Sequence, residues 1–352
     1  MPRPSAGVLG ASAVLLGTTT SLFGIVWDVQ WHVDVGPDTF FTLSHLMLYA
    51  GSAIAGVAAL TMVLRATAAQ RAGRAVDPGE GGRTVRVLGF DAPLGYLIAG
   101  AGAAMFLLYG LMDLWWHTVY GFDATLGSPP HMALFSSITV TMVGSIIVFG
   151  HAHARRWGRI GLALALPILI TFSPLMFDAL EDAPLPFNAG VALAAFCCTL
   201  SLVLAAGVVR PLFAVVAAGV LGVLQIILWF WAPWASHAYA ESSRLPLRDG
   251  LEGLPPEMPS VVPMFLLVAA LAVAGVLIGA RRWAAPLAGA AGGLITAVSL
   301  DLQVPLVGNG PVTAPGALLA DALAGLTLGA AAGFVAWRFA GMLNSSVVRR
   351  VA

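Results

Sequence analysis

The chain has no lysine, only 10% charged residues and just two cysteines in 352 residues. Each scarcity excludes something. With seventeen arginines balanced by seventeen acidic residues, there is no electropositive footprint for nucleic acid. Cys197 and Cys198 are neighbours inside an apolar run, where adjacent thiols seldom pair and small apolar side chains serve as packing. No disulfide framework is expected.

What is abundant is apolar: 59% of the residues are hydrophobic, in runs that exceed the roughly 18 residues marking a membrane-spanning helix. The pattern predicts an all-α polytopic membrane protein with about ten transmembrane helices. The spans fall near 7–33, 39–64, 92–117, 127–153, 158–180, 187–209, 211–235, 261–280, 283–300 and 317–340. Arg3 followed by an apolar stretch has the look of a secretory signal. The run nevertheless continues without a cleavage site into Trp27 and Asp28, so it is read as the first span.

Arginine then orients the spans. Arg3, Arg65, Arg71, Arg74, Arg83, Arg86, Arg155, Arg156, Arg159, Arg210, Arg281, Arg282, Arg338, Arg349 and Arg350 share one side, and only Arg244 and Arg248 lie on the other. The positive-inside rule puts both termini in the cytoplasm, as an even number of spans requires. The Gly- and Arg-rich connection near 65–91 reads as a solvated cytoplasmic linker, and the outer connection near 236–260 is too short for a folded domain. Gly and Ala crowd spans 3, 6, 9 and 10, which suits close helix packing.

The chemistry gathers at Trp27 to Tyr49. Asp28 and His32 are four residues apart on one helix face, and His45 opens the next apolar run beyond a turn carrying Gly36 and Pro37. Three ligand-type side chains from adjacent helix ends can meet there. The stretch is repeated: Asp28, Trp31, His32, Gly36 and Asp38 recur 85 residues later as Asp113, Trp116, His117, Gly121 and Asp123, and His45 recurs as His131. Both copies run in the same direction, so helices 1–2 and 3–4 are expected to be a parallel internal repeat related by a rotation about the membrane normal. Residues 1–153 then form a duplicated two-helix metal-binding half, and 154–352 a six-helix scaffold without a third copy.

Ionisable groups in spans are costly, and five of the seven histidines, His32, His45, His117, His131 and His237, map to the outer boundary. A lone His beside Trp at that boundary is an interfacial anchor more often than a ligand. Two Asp-x3-His pairs, each followed by a further His, reverse that balance. They point to Asp28, His32 and His45 as one metal site and Asp113, His117 and His131 as another. Imidazole suits copper, zinc, iron and nickel, and one carboxylate with two histidines is also the pattern of non-haem iron oxygenases. Ligand type alone leaves copper and iron open.

Bland readings are preferred elsewhere. Trp27, Trp31, Trp115 and Trp116 read as belt or packing residues, and His237 as an interfacial anchor more often than an added ligand or proton donor. Asp34, Asp38 and Asp123 are equally acceptors for ligand histidines or turn and cap residues. Asp178, Glu181 and Asp182 read as a solvated helix end, Asp301 and Asp321 as capping groups at least as readily as a proton path, and His151 and His153 as interfacial. Met47, Met112 and Met132 favour packing over soft ligation.

The first stretch resembles the C subunit of the particulate methane and ammonia monooxygenases, membrane copper enzymes. The resemblance rests on Asp-x3-His-x12-His and on the pairs Trp31-His32, Asp38-Thr39, Phe41-Thr42 and Ser44-His45. The family's second motif, Asn-x3-His-x13-His, is matched by Asp113, His117 and His131, with His117-Thr118 and the run Ser128-Pro129-Pro130-His131. Asp113 stands where the family has Asn. The likeness covers about 45 residues and does not extend past residue 153. Family C subunits have helices ahead of the first motif, whereas here six follow the second.

The resemblance implies that all six ligand residues are catalytic, that copper is held at one or two sites per chain, and that O2 is activated to hydroxylate a small hydrophobic substrate. It also implies a bacterial cytoplasmic membrane with the sites toward the outer face, partner subunits or a homo-oligomer, and a quinol as possible reductant. Iron remains open as the metal. The competing reading is copper uptake, delivery or storage without oxygenase activity; transporters, however, keep ligands near the midplane, where this chain has few.

Overall fold

The computed structural model describes residues 5–36, 38–121, 127–177, 180, 183–279, 284–308 and 310–348, with side chains to 345. Asp123, Asp178, Glu181 and Asp182 therefore lie outside the described residues, as do Arg3, Arg281, Arg282, Arg349 and Arg350. The architecture is an all-α bundle, with ten helical segments among the described residues long and apolar enough to cross a membrane.

The first four helices are α1 (Ala6–Asp34), α2 (Leu43–Arg71), α3 (Leu94–Tyr120) and α4 (Pro129–His151). They are followed by α5 (Arg156–Phe172), α6 (Ala189–Val208) and α7 (Phe213–Ser243). A short α8 (Glu257–Val261) precedes α9 (Leu266–Gly279), α10 (Ala284–Val307) and α11 (Pro315–Val348). Helix ends follow local chemistry. The Ser5 hydroxyl accepts a hydrogen bond from Val8 N at the start of α1, and Asn188 caps α6 through Val191 N at 3.0 Å. At the other end of α1, Gly36 at φ +105° donates to Trp31 O and lets the chain leave the helix.

The second span starts at Leu43 rather than near 39. Thr39 and Thr42 are used instead in a tight turn, with Thr39 N donating to the Thr42 hydroxyl at 2.8 Å and Thr42 N to Thr39 O at 2.9 Å. The eighth span is also not one continuous helix. Its break at 262–265 is secured by two buried glutamines: Gln225 Nε2 donates to Pro259 O and Val262 O, and Gln303 bonds Ser260 O, Val262 O and Met264 N. Irregular backbone at such depth needs partners of this kind.

Helices α1 to α4 close a ring: α1 packs on α2, α2 on α3, α3 on α4 and α4 on α1. The repeat is visible in the packing register. Gly10 meets Met62 and Gly17 meets Gly51 and Ala55, while Gly95 meets Val148 and Gly102 meets Ser137 and Thr141. These are the same contacts displaced by 85 residues in the first helix and 86 in the second. Close approach through small residues builds both pairs. A larger example joins α10 and α11, where Gly289 and Gly293 interlock with Gly325, Gly329 and Gly333. Helices α5 and α7 pack on α1 and connect the ring to the group formed by α6, α9, α10 and α11.

The 65–91 connection is more structured than a solvated linker. Thr84–Val87 (β1) and Phe90–Pro93 (β2) form an antiparallel hairpin around Leu88 and Gly89, both at positive φ. Asp77 pairs with Arg155, Arg71 donates to Gly89 O, and Gly81 and Gly82 lie against Tyr96 and His151. Glu80 sits against Gly7 in the first turn of α1, where a carboxylate complements the helix dipole. Composition alone concealed these contacts because each one joins residues distant in sequence.

Candidate metal centres

Both triads assemble, at the end of the ring opposite the hairpin and about 30 Å from it along α1. Asp28 and His32 leave the last turns of α1 on one face, and the Thr39–Thr42 turn returns the chain so that His45, in the first turn of α2, meets them. His45 Nε2 lies 3.1 Å from Asp28 Oδ1, and His32 Nε2 lies 3.8 Å from Asp28 Oδ2. In the second copy His117 Nε2 and His131 Nε2 lie 3.4 and 3.2 Å from Asp113 Oδ1 and 3.2 Å from each other.

Asp38 joins the first group as a fourth donor. Its Oδ2 is 3.2 Å from His45 Nε2 and 3.5 Å from His32 Nε2. The ligand atoms of Asp28, His32, Asp38 and His45 lie within 4.8 Å of one another, as do those of Asp113, His117 and His131, so each group could hold one metal ion. The sequence left Asp38 between ligand support and turn capping; the geometry puts its carboxylate among the candidate ligands.

The histidines are oriented for this. His45 Nδ1 is 2.9 Å from Thr39 O, and His117 Nδ1 is 3.0 Å from Gly121 O. A carbonyl can only accept, so Nδ1 carries a proton, and Nε2 is the nitrogen through which a neutral ring would ligate a metal. Gly121 at φ +89° turns its own carbonyl back over α3 to do this. The Ser44 hydroxyl, fully buried, donates to Asp28 Oδ1 at 2.7 Å. Asp28 and Asp113 are both buried, at 5% and 6% exposure. A carboxylate is costly at such depth without a cationic or hydrogen-bonding partner, and a metal ion ligated by these groups would provide one.

One cavity of about 660 Å³ connects the two groups. Six of the seven candidate ligands named above come from the four ring helices, and all seven line it. Its remaining wall is largely apolar, with Ile25, Val29, Leu48, Leu134, Phe135 and Ile138. Arg248, Asp249 and Leu251, from the connection after α7, and Glu257, at the start of α8, complete its lining. That connection is anchored on the end of α1: Arg248 N donates to Asp34 O at 2.8 Å, Arg248 Nε to Val35 O at 3.3 Å, and Glu257 N to Gln30 Oε1 at 3.1 Å. A side chain at Gly36 would clash with the Arg248 guanidinium.

Other singled-out residues stay outside the cavity wall. His237 pairs with Asp34 at 3.5 Å, and Asp34 also accepts from Gln30. Trp27 and Trp31 are buried against Tyr239, whereas Trp115 is exposed on the bundle surface and Trp116 packs on Tyr120. Asp301 accepts from Thr313 and Asp321 from Asn188 N, each tying a loop to a helix end. His151 and His153 bond nearby carbonyls. Met132 packs in the apolar core, Met112 is exposed, and both cysteines are free.

Sequence reasoning missed Tyr49, Arg248, Asp249, Leu251 and Glu257 as cavity-lining residues. Tyr49 had a signal, since it follows His45 by one helical turn. Glu257 and Arg248, more than 200 residues from α1, had none.

Fold and clusters together define a multi-pass helical membrane protein with paired His–carboxylate groups opening on a single cavity. Compared with known proteins, the chain matches no family model, no curated protein and no solved structure.

Proposed function

We propose that the chain is a membrane metalloenzyme that oxidises a small hydrophobic substrate with O2 in the cavity between its two ligand clusters. The observation that carries this reading is the cavity itself: two open sets of His and Asp donors facing one pocket whose other wall is apolar. Copper is the first assignment and iron the second, on donor type and on the resemblance to the monooxygenase C subunits. The bound metal would supply O2 activation and Lewis acidity. The protein's own part is to orient Nε2 of His45 and His117 through backbone carbonyls, to hold an apolar molecule against the wall, and to limit water at the mouth through the 244–257 segment.

The arginine asymmetry supports a cytoplasmic-membrane location with the clusters outward and both termini inside. Partner subunits or a second copy of the chain, and a quinol as reductant, belong to the same proposal. A second reading, copper delivery or storage, is favoured by the four-donor set at Asp28, His32, Asp38 and His45, which leaves less room for an exogenous ligand.

Metal analysis and EPR of purified protein, loaded anaerobically, test the reading. Wild type should hold one to two copper or iron ions per chain, and reduced protein should consume O2 in the presence of a small hydrocarbon. Less than one ion, with His32→Ala unchanged in content, sinks the metal assignment; tight copper with no O2 consumption under any reductant selects the second reading.

A further inference from the structure

The cavity has a polar stretch and an apolar end, and helix register orders them. On each ring helix that supplies an aliphatic wall, that wall lies on the bundle-interior side of the ligand. Ile25 precedes Asp28 on α1, Leu48 follows His45 on α2, and Leu134 and then Ile138 follow His131 on α4. At a rise of 1.5 Å per residue, Ile25 is about 4.5 Å deeper than Asp28, and Ile138 about 10 Å deeper than His131. The cavity ends there. One turn deeper, Leu22 and Met142 are fully buried in the same packed cluster as Ile25 and Ile138, and neither lines the cavity.

The repeat places this deep end between α1 and α4, which pack on each other. Ile25 corresponds to Gly110 of α3, which has no side chain to offer, and Ile138 to Ser52 of α2, whose hydroxyl meets Ser21 Oγ at 3.4 Å. Neither counterpart lines the cavity. Two ligand sets therefore open on a single apolar end. A slot with polar donors along one stretch and close-packed hydrocarbon at its floor selects by shape and polarity. A polar group pushed to the floor would lose its hydrogen bonds to water without replacement, whereas an alkyl tail fits there.

Resting on the metal reading above, we propose that the cavity takes a straight-chain aliphatic molecule end-on. Its polar terminus lies among the ligand groups and its tail at the floor, and Ile138 and Ile25 set the longest chain that fits. Each methylene that enters the apolar stretch adds about fourfold in affinity, and the gain stops where the tail meets the packed floor.

The test uses the full-length, copper-loaded protein and straight-chain primary alcohols of increasing length, with binding read from the copper EPR signal. Wild type should gain about fourfold in affinity per added carbon and then level off at one length. Ile138→Ala should move that length out by about two or three carbons, the size of the side chain removed. Ile25→Ala makes the same test from α1, independently of how well the first variant folds. Ile146→Ala, the same truncation two turns further along α4 and outside the cavity, should leave the length unchanged. A length that stays put in both cavity variants, or shifts equally in Ile146→Ala, overturns the inference, as does a wild type whose affinity never levels off. Copper-loaded protein that binds no alcohol overturns it too and leaves the metal reading intact. A wild type that takes up no copper removes both.

Discussion

In the first copy of the repeat, Asp28 accepts a hydrogen bond from Ser44 and shares its cluster with Asp38; in the second, Pro130 stands where Ser44 does, and Asp113 meets only His117 and His131 among the described ligand groups. The backbones that bring these residues together are nevertheless built alike, on the same glycine contacts between paired helices. A duplicated scaffold can thus carry two ligand sets whose described members differ. Among the described residues the first set offers two carboxylates and two imidazoles, and the second one carboxylate and two imidazoles.

The sharpest way to break this comparison is to remove one histidine from each copy. His45→Ala and His131→Ala should each lose one ion and keep the other, with affinity at the altered site falling by more than about 100-fold. Metal titration with EPR distinguishes the two signals, and loss of both ions from either variant would mean that the sites are not independent. Next in size is the shared scaffold. Gly17→Leu and Gly102→Leu place a side chain against the backbone of the paired helix, and each should cost about 1–3 kcal/mol in thermal unfolding in detergent. Similar losses support equivalent packing; a large loss in only one copy would show that the register likeness is not energetic.

Asp38→Asn tests the fourth donor of the first copy. It should weaken a divalent ion in the first cluster by about tenfold and leave the second unchanged, as read by competition with a chelator. Equal weakening at both sites would mean that Asp38 does not serve the first cluster in particular. The smallest effect belongs to Ser44→Ala, which deletes one hydrogen bond to Asp28 and should shift first-site affinity by a few fold, about 1 kcal/mol at most. No change at all would make that hydroxyl incidental to the site.

Much of the site was legible because helical periodicity is local. Asp28 with His32, and Asp113 with His117, had to share a face at a spacing of four residues, and recurrence at an offset of 85 marked the second group. Tyr49 could have been found by the same rule applied to His45. Asp38 could not be assigned, since a carboxylate two residues past Gly36 serves a turn or a ligand set equally well until the path of the turn is known. The hairpin at 84–93 was hidden for a related reason: Gly and Arg describe a linker by composition, while its order comes from Asp77 meeting Arg155 and Glu80 meeting the start of α1.

The amino-acid sequence by itself determined the helical membrane class, the ten spans, the duplication and the six paired candidate ligands, because hydrophobic run length and residue spacing are local properties of the chain. Only the tertiary structure decided that both clusters open on one cavity, that Asp38 joins the first, and that Arg248 and Glu257 line the same cavity. Those outcomes depend on helix packing and on contacts spanning more than 200 residues, for which no local pattern exists.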